Sequence, residues 1–221
     1  MAAVEALAVV VLFLVVAALG AAVGVGFRRQ RQLSGGPART AIDPFTVGEP
    51  WRHVVAASLR ARNQAAAAVA GTPAGPLRER LRGVEAQLDT ALGECWAIAR
   101  RGHELRRALG AMDLTVARSR LDALQARLDG EPDDAALAST AQALQAKLDS
   151  GERLRQATAV AEDRLRLLGA RLEEASARII ELAARPETAV AELGGLGVDV
   201  EDLVLELEAV RQGLEAVAGP T

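Results

Sequence analysis

Chemically reactive and aromatic side chains are scarce in this sequence. Among its 221 residues there are no tyrosines, one cysteine and two histidines, and aromatic residues make up 2% of the chain. A single cysteine cannot form an internal disulfide, which agrees with a reducing compartment. β-Sheets favour β-branched and aromatic residues, whereas the abundant alanine and leucine of this chain favour helices. The composition therefore predicts an all-α protein.

Charge is absent from the segment between Ala6 and Phe27. At about 1.5 Å per residue, its roughly 22 residues are long enough to cross a hydrocarbon core of about 30 Å. A cleaved signal peptide is the alternative, but its positive charge would precede the apolar run, whereas Arg28, Arg29 and Arg31 follow it here. The sequence therefore predicts a single transmembrane helix at residues 6–27.

The three arginines after this segment determine its predicted orientation in the cell membrane. Positive charge is retained on the cytoplasmic side, so residues 1–5 are expected outside and the bulk of the chain in the cytoplasm. Residues 28–49 contain several glycines and prolines and are predicted to form a juxtamembrane linker. The GxxxG spacing of Gly20 and Gly24 lets two membrane helices pack closely, so a homodimer is an alternative to a monomer.

The predicted cytoplasmic domain, residues 50–218, begins with a helix at residues 50–70, because a proline such as Pro50 suits the first helical turn.

From Leu77 onward, apolar or small residues recur at alternating spacings of four and three, which is typical of a coiled-coil seam. This first seam consists of Leu77, Leu81, Val84, Leu88, Ala91, Cys95, Ile98, Gly102, Leu105 and Leu109.

A second seam follows a turn at residues 129–134 and runs to Leu182. If the two seams pair antiparallel, the position numbers of facing residues have a constant sum. Ile98 with Leu165 and Leu81 with Leu182 both add to 263. The sequence therefore predicts a long antiparallel coiled-coil hairpin. The residues of its predicted tip are Gly130, Glu131, Pro132 and Asp133.

The predicted hairpin covers residues 77–184, and each of its arms contains an interruption. In the first arm the interruption is "GAMD", residues 110–113, where Asp113 is placed to cap a new helical start, and in the second arm it is "DSGE", residues 149–152. Pro132, in the turn between the arms, is placed to open the second helix. The two interruptions lie at matching heights, which predicts a shared hinge. The predicted hinge residues are Gly110, Asp113, Ser150 and Gly151. An extended hairpin and one folded over at this hinge are both compatible with the pattern.

A last helix is predicted at residues 199–217, with Asp199 as its N-cap. Together with the helix at 50–70 it is expected to form a bundle at the base of the hairpin. Residues 28–109 hold fourteen arginines against seven acidic residues, a net charge of +7, and residues 187–221 hold one arginine against eight, a net charge of −7. These charges either neutralise each other across the bundle or present a basic side to anionic lipid and an acidic tail to a partner.

Few residues suit catalysis or ligand binding. Cys95 and His103 are eight residues apart, which places them about 80° apart around one helix and roughly 12 Å apart along it, so they cannot form a thiolate–imidazole pair. Neither His53 nor His103 lies in a zinc-binding pattern, and no phosphate-binding loop follows a strand. Few aromatic residues are present to stack on bases. The sequence predicts a protein that is not an enzyme, has no cofactor or metal, and does not bind nucleic acid.

Three stretches carry a resemblance to a known group of proteins: "IDPFTVGEPWRHVV" at residues 42–55, "GPLRERL" at 75–81 and "ECWAIARRG" at 94–102. Together they resemble an uncharacterised family of actinobacterial, single-span, membrane-anchored helical proteins with coiled coils. The resemblance implies the same compartment and fold as the residue pattern, and no mechanism.

Two functions remain open from the sequence. The first is a membrane-anchored scaffold or adaptor that recruits or spaces protein partners through the hairpin tip and the last helix. The alternative is a regulatory or sensory subunit of a membrane complex, in which the hinge changes angle on binding. The sequence does not identify the partner.

Overall fold

The computed structural model describes residues 42–218, which form five α-helices and no strand. The all-α class predicted from the sequence is confirmed. A short 3-10 turn, Pro44–Thr46, precedes the helices. The helices are α1 (Trp51–Gly71), α2 (Pro76–Ala111), α3 (Leu114–Leu128), α4 (Ala135–Ala184) and α5 (Pro186–Ala218).

Local sequence explains several of the helix ends. Pro76 and Pro186 each stand at a helix start, where the missing amide hydrogen leaves no bond unmade. Asp134 caps α4, because its carboxylate accepts hydrogen bonds from the amides of Ala136 (2.9 Å) and Leu137 (3.0 Å). The predicted helix at residues 50–70 agrees with α1 to within one residue.

Helices α1, α2, α4 and α5 pack around one hydrophobic core. α2 and α4 lie in the middle, and both contact α1 on one side and α5 on the other. The fully buried residues include the middle of each predicted seam, because residues spaced by three and four lie on one helix face. The largest of these side chains are Trp51, Leu81, Leu88, Ile98, Leu165, Leu168, Leu172, Ile179, Leu203 and Leu207.

Helix α3 and the first part of α4 form a separate arm. Ala117, Leu121, Ala141 and Leu148 are the buried residues of its small hydrophobic cluster, and the main core includes no residue of α3. α4 has 50 residues, a length of about 75 Å at 1.5 Å per residue, so it runs through both the bundle and the arm. The arm is extended along α4 and is not folded back onto the bundle.

Three predicted boundaries are wrong. α4 continues without a break through Ser150 and Gly151, so at the predicted hinge only the chain between α2 and α3 is interrupted. Pro132 does not open α4, because Asp134 supplies the cap two residues later. The last helix begins at Pro186 instead of Asp199, since the burial of apolar side chains on its inner face outweighs the helix-weakening effect of its glycines, about 1 kcal/mol each.

The predicted membrane segment, residues 6–27, and the arginines Arg28, Arg29 and Arg31 lie outside the described residues. Within residues 42–218, no helix combines the length and the hydropathy that a bilayer span requires.

Candidate interaction surfaces

The segment around Cys95 is part of the core. The thiol of Cys95 is fully buried, and this burial raises its pKa to about 12. Because the thiolate is the reactive form, Cys95 is a poor nucleophile at neutral pH. Trp96 is also buried, whereas His53 on α1 is exposed.

His103 holds the segment that precedes α1. This contact was not predicted from the sequence. Its Nδ1 accepts a hydrogen bond from the amide of Gly48 (3.3 Å). Arg106 donates to the carbonyl of Glu49 (2.9 Å) and to the carboxylate of Glu162 (2.6 Å). The segment 42–50 is therefore fastened to α2 and α4 at the end of the bundle from which the arm extends.

The predicted hinge residues have different environments. Asp113, between α2 and α3, has a left-handed backbone (φ 47°), and its side chain makes no capping hydrogen bond, contrary to prediction. Gly110 is exposed, and a side chain there would meet no neighbouring atom. Gly151 is buried within α4, where an added Cβ would lie 2.5 Å from Cδ1 of Leu114. Gly151 therefore permits α3 to approach α4 and does not interrupt the helix.

The turn at the end of the arm is stabilised by its own backbone. The amides of Gly130 and Glu131 both donate to the carbonyl of Arg127 (3.0 Å each). Gly130, Glu131, Pro132 and Asp133 are exposed. The tip consequently presents a fixed, acidic surface to solvent.

Ion pairs link α5 to both of its neighbours. Arg171 contacts Glu206 (2.5 Å) and Arg178 contacts Asp199 (3.2 Å), which joins α4 to α5. Arg211 of α5 contacts Glu94 of α2 (2.7 Å), and this hydrogen bond raises the pKa of the arginine. Part of the acidic charge of α5 is thus neutralised across the bundle.

Two shallow cavities of about 220 and 330 Å³ lie in the groove between α4 and α5. They share Arg178, Leu196 and Asp199 as lining residues. Both are open to solvent, and the charged groups that they share already pair with each other. Within residues 42–218, no three His, Cys, Asp or Glu side chains lie close enough together to hold a metal ion.

Comparison with known proteins gives no match: no family model, no curated protein and no solved structure matches the chain. The resemblance to actinobacterial helical proteins therefore stays a prediction.

Proposed function

We propose that this chain is a membrane-anchored, non-enzymatic scaffold or adaptor that recruits or spaces protein partners on the cytoplasmic face. The observation that carries the proposal is the arm, in which α3 and the start of α4 extend beyond the four-helix bundle with a hydrophobic cluster of their own. An extended helical arm with an exposed tip is suited to contact another protein at a distance from the anchor.

We further propose that α2, α3 and α4 form an antiparallel coiled-coil hairpin. It is supported by seam residues on α2 and α4 that are buried in one core and by the packing of α3 against α4. In a coiled coil the seam residues of one helix fit between those of its partner, which makes the pair stiff. A stiff hairpin would hold the tip at a constant distance from the bundle.

The membrane anchor in this proposal rests on the sequence. Residues 6–27 carry no charge, and Arg28, Arg29 and Arg31 follow them. By the positive-inside rule these arginines stay in the cytoplasm, and anionic headgroups attract them. Residues 28–41 then connect the span to the segment 42–50, which is docked in front of α1.

Photocrosslinking in native membranes tests the adaptor. A photoreactive residue replaces Glu131 at the tip, and a matched control replaces Glu173, which is exposed on α4 within the bundle. We expect one recurrent protein partner from position 131 that is absent from position 173. Crosslinks from position 131 only to lipid, or only to another copy of the chain, would exclude the tip as a recruitment site.

A regulatory or sensory subunit of a membrane complex is the second candidate, because the left-handed backbone of Asp113 places strain between α2 and α3. A residue of this kind costs of the order of 1–3 kcal/mol and marks a position at which the angle between α2 and α3 can change. Asp113→Gly relieves this strain. The switch predicts that this variant alters partner binding, and unchanged binding would contradict it.

A further inference from the structure

Helix α5 has apolar residues on two opposite faces. Its inner face is buried in the bundle through Leu196, Leu203 and Leu207. Its outer face carries Val198 and Leu205, seven residues apart and each 58% exposed. A helix that is apolar on both faces normally has partners on both. The outer stripe consists of Ala191, Gly194, Val198, Leu205, Ala209 and Ala216, all of them exposed.

The outer stripe is flanked by unpaired acidic side chains. Glu201 and Asp202 are exposed and form no ion pair with any described residue. Two copies of α5 placed face to face would bring these carboxylates together, which like-charge repulsion disfavours. The charge of this face therefore favours a basic partner.

Helix α3 presents a face with the complementary properties. Val116 is 49% exposed, and Arg120, Ala123 and Arg127 continue the same stripe at spacings of four, three and four. Neither arginine forms an ion pair with a described residue, and the stripe contains no acidic residue. A different face of α3 packs in the arm through Ala117 and Leu121.

The two stripes cannot meet within one molecule. α3 packs near Gly151 of α4, whereas α5 is joined to α4 at Arg171. These positions are 20 residues apart on one continuous helix, a separation of about 30 Å at 1.5 Å per residue. A contact between the stripes requires two copies of the chain.

We propose that the outer face of α5 binds the Val116–Arg127 stripe of α3 from a second copy of this chain. In an antiparallel register, Val116 lies against Leu205 and Ala123 against Val198, while Arg120 lies beside Glu201. Apolar residues then meet apolar residues, and Arg120 meets a residue of opposite charge. The contact joins two different surfaces, so it is heterologous and can continue from one copy to the next. Such self-assembly goes beyond the adaptor proposal and does not depend on the tip.

Disulfide crosslinking of full-length protein in mild detergent tests this contact. One tagged copy carries Val116→Cys, and a second copy with a different tag carries Leu205→Cys. Cys95 stays in place, because it is buried in both copies. The matched control for the second copy is Val160→Cys, a 62% exposed position on α4. We expect the Val116→Cys and Leu205→Cys mixture to give about tenfold more crosslinked heterodimer than the control, because a disulfide requires closely approaching Cβ atoms.

Charge reversal is the second test of this contact. Arg120→Glu in the first copy should lower the crosslinking yield about tenfold, and Glu201→Arg in the second copy should restore it when both are present. Glu173→Arg, an exposed acidic position outside the stripe, should restore nothing. Equal yields at positions 205 and 160, crosslinking of Leu205→Cys mainly with itself, or failure of the paired reversal would each overturn the proposal.

Discussion

The indole ring of Trp51 occupies the space that a side chain at position 102 would need. A Cβ atom added to Gly102 would lie 2.5 Å from Cη2 of Trp51, which is shorter than any van der Waals contact. Trp51 is the first residue of α1 and is almost completely buried. The glycine in the seam of α2 is therefore required for α1 to dock.

Gly102→Ala should destabilise the folded chain by about 1–3 kcal/mol, because an extra methyl group in a packed core forces the rigid indole aside. The measurement is chemical denaturation of the full-length protein. Gly93→Ala is the matched control, since it lies on the same helix and its added methyl group meets no atom. The control should stabilise the chain by up to about 1 kcal/mol through helix propensity. Equal effects of both variants would contradict the docking role of Gly102.

The periodicity of the sequence was sufficient to predict the core but not the contacts of residues outside it. Leu81, Leu88, Ile98 and Cys95 are buried where their spacing placed them, because a helix converts spacing directly into a face. The segment docked in front of α1, residues 42–50, has no hydrophobic periodicity, so its attachment to His103 could not be predicted from the sequence. That contact depends on residues more than fifty positions apart.

Glycine was the main source of error. Gly151 was interpreted as part of an interruption, yet it lies within a continuous helix. Gly194 and Gly195 lie in the first part of α5, which the predicted helix at 199–217 left out. The intrinsic cost of a glycine in a helix is about 1 kcal/mol, which a few buried leucines exceed. The outer stripe of α5 was missed for a related reason, because small residues mark a helix face weakly.

Cys95 provides a prediction of pH dependence. Burial raises the pKa of its thiol from 9.0 to about 12. Between these values the unfolded chain loses the proton and the folded chain keeps it, so the free energy of unfolding falls as the pH rises. Between about pH 7.5 and pH 10, the free energy of unfolding of the unmutated protein should fall by about 1 kcal/mol relative to that of Cys95→Ala. Denaturation of both proteins at both pH values measures the difference, and parallel pH curves would contradict it.

The hydrogen bond to His103 predicts the behaviour of the docked segment. His103→Leu removes the acceptor for the amide of Gly48, and a lost bond of about 1 kcal/mol should speed the hydrogen exchange of that amide about fivefold. His103→Asn is the matched control, because its side-chain oxygen can take the place of Nδ1. Exchange that is equally fast in both variants would show that ring packing, and not the hydrogen bond, holds the segment.

Gly151 and Leu114 should be energetically coupled. Gly151→Ala places a methyl group against Leu114 and should speed hydrogen exchange in the first turns of α3, because the leucine must leave its position. Leu114→Ala alone should also loosen α3. Since the two changes act on the same contact, the effect of Gly151→Ala should largely disappear when position 114 is already alanine.

Gly110→Ala separates this packing effect from backbone flexibility. A methyl group at position 110 meets no neighbouring atom, so the variant should stiffen the end of α2 and leave exchange in α3 unchanged or slower. If Gly151→Ala and Gly110→Ala both slowed exchange in α3, the two glycines would act alike as flexible points. If only Gly151→Ala accelerates it, α3 is held in place by the close approach of Leu114 to α4.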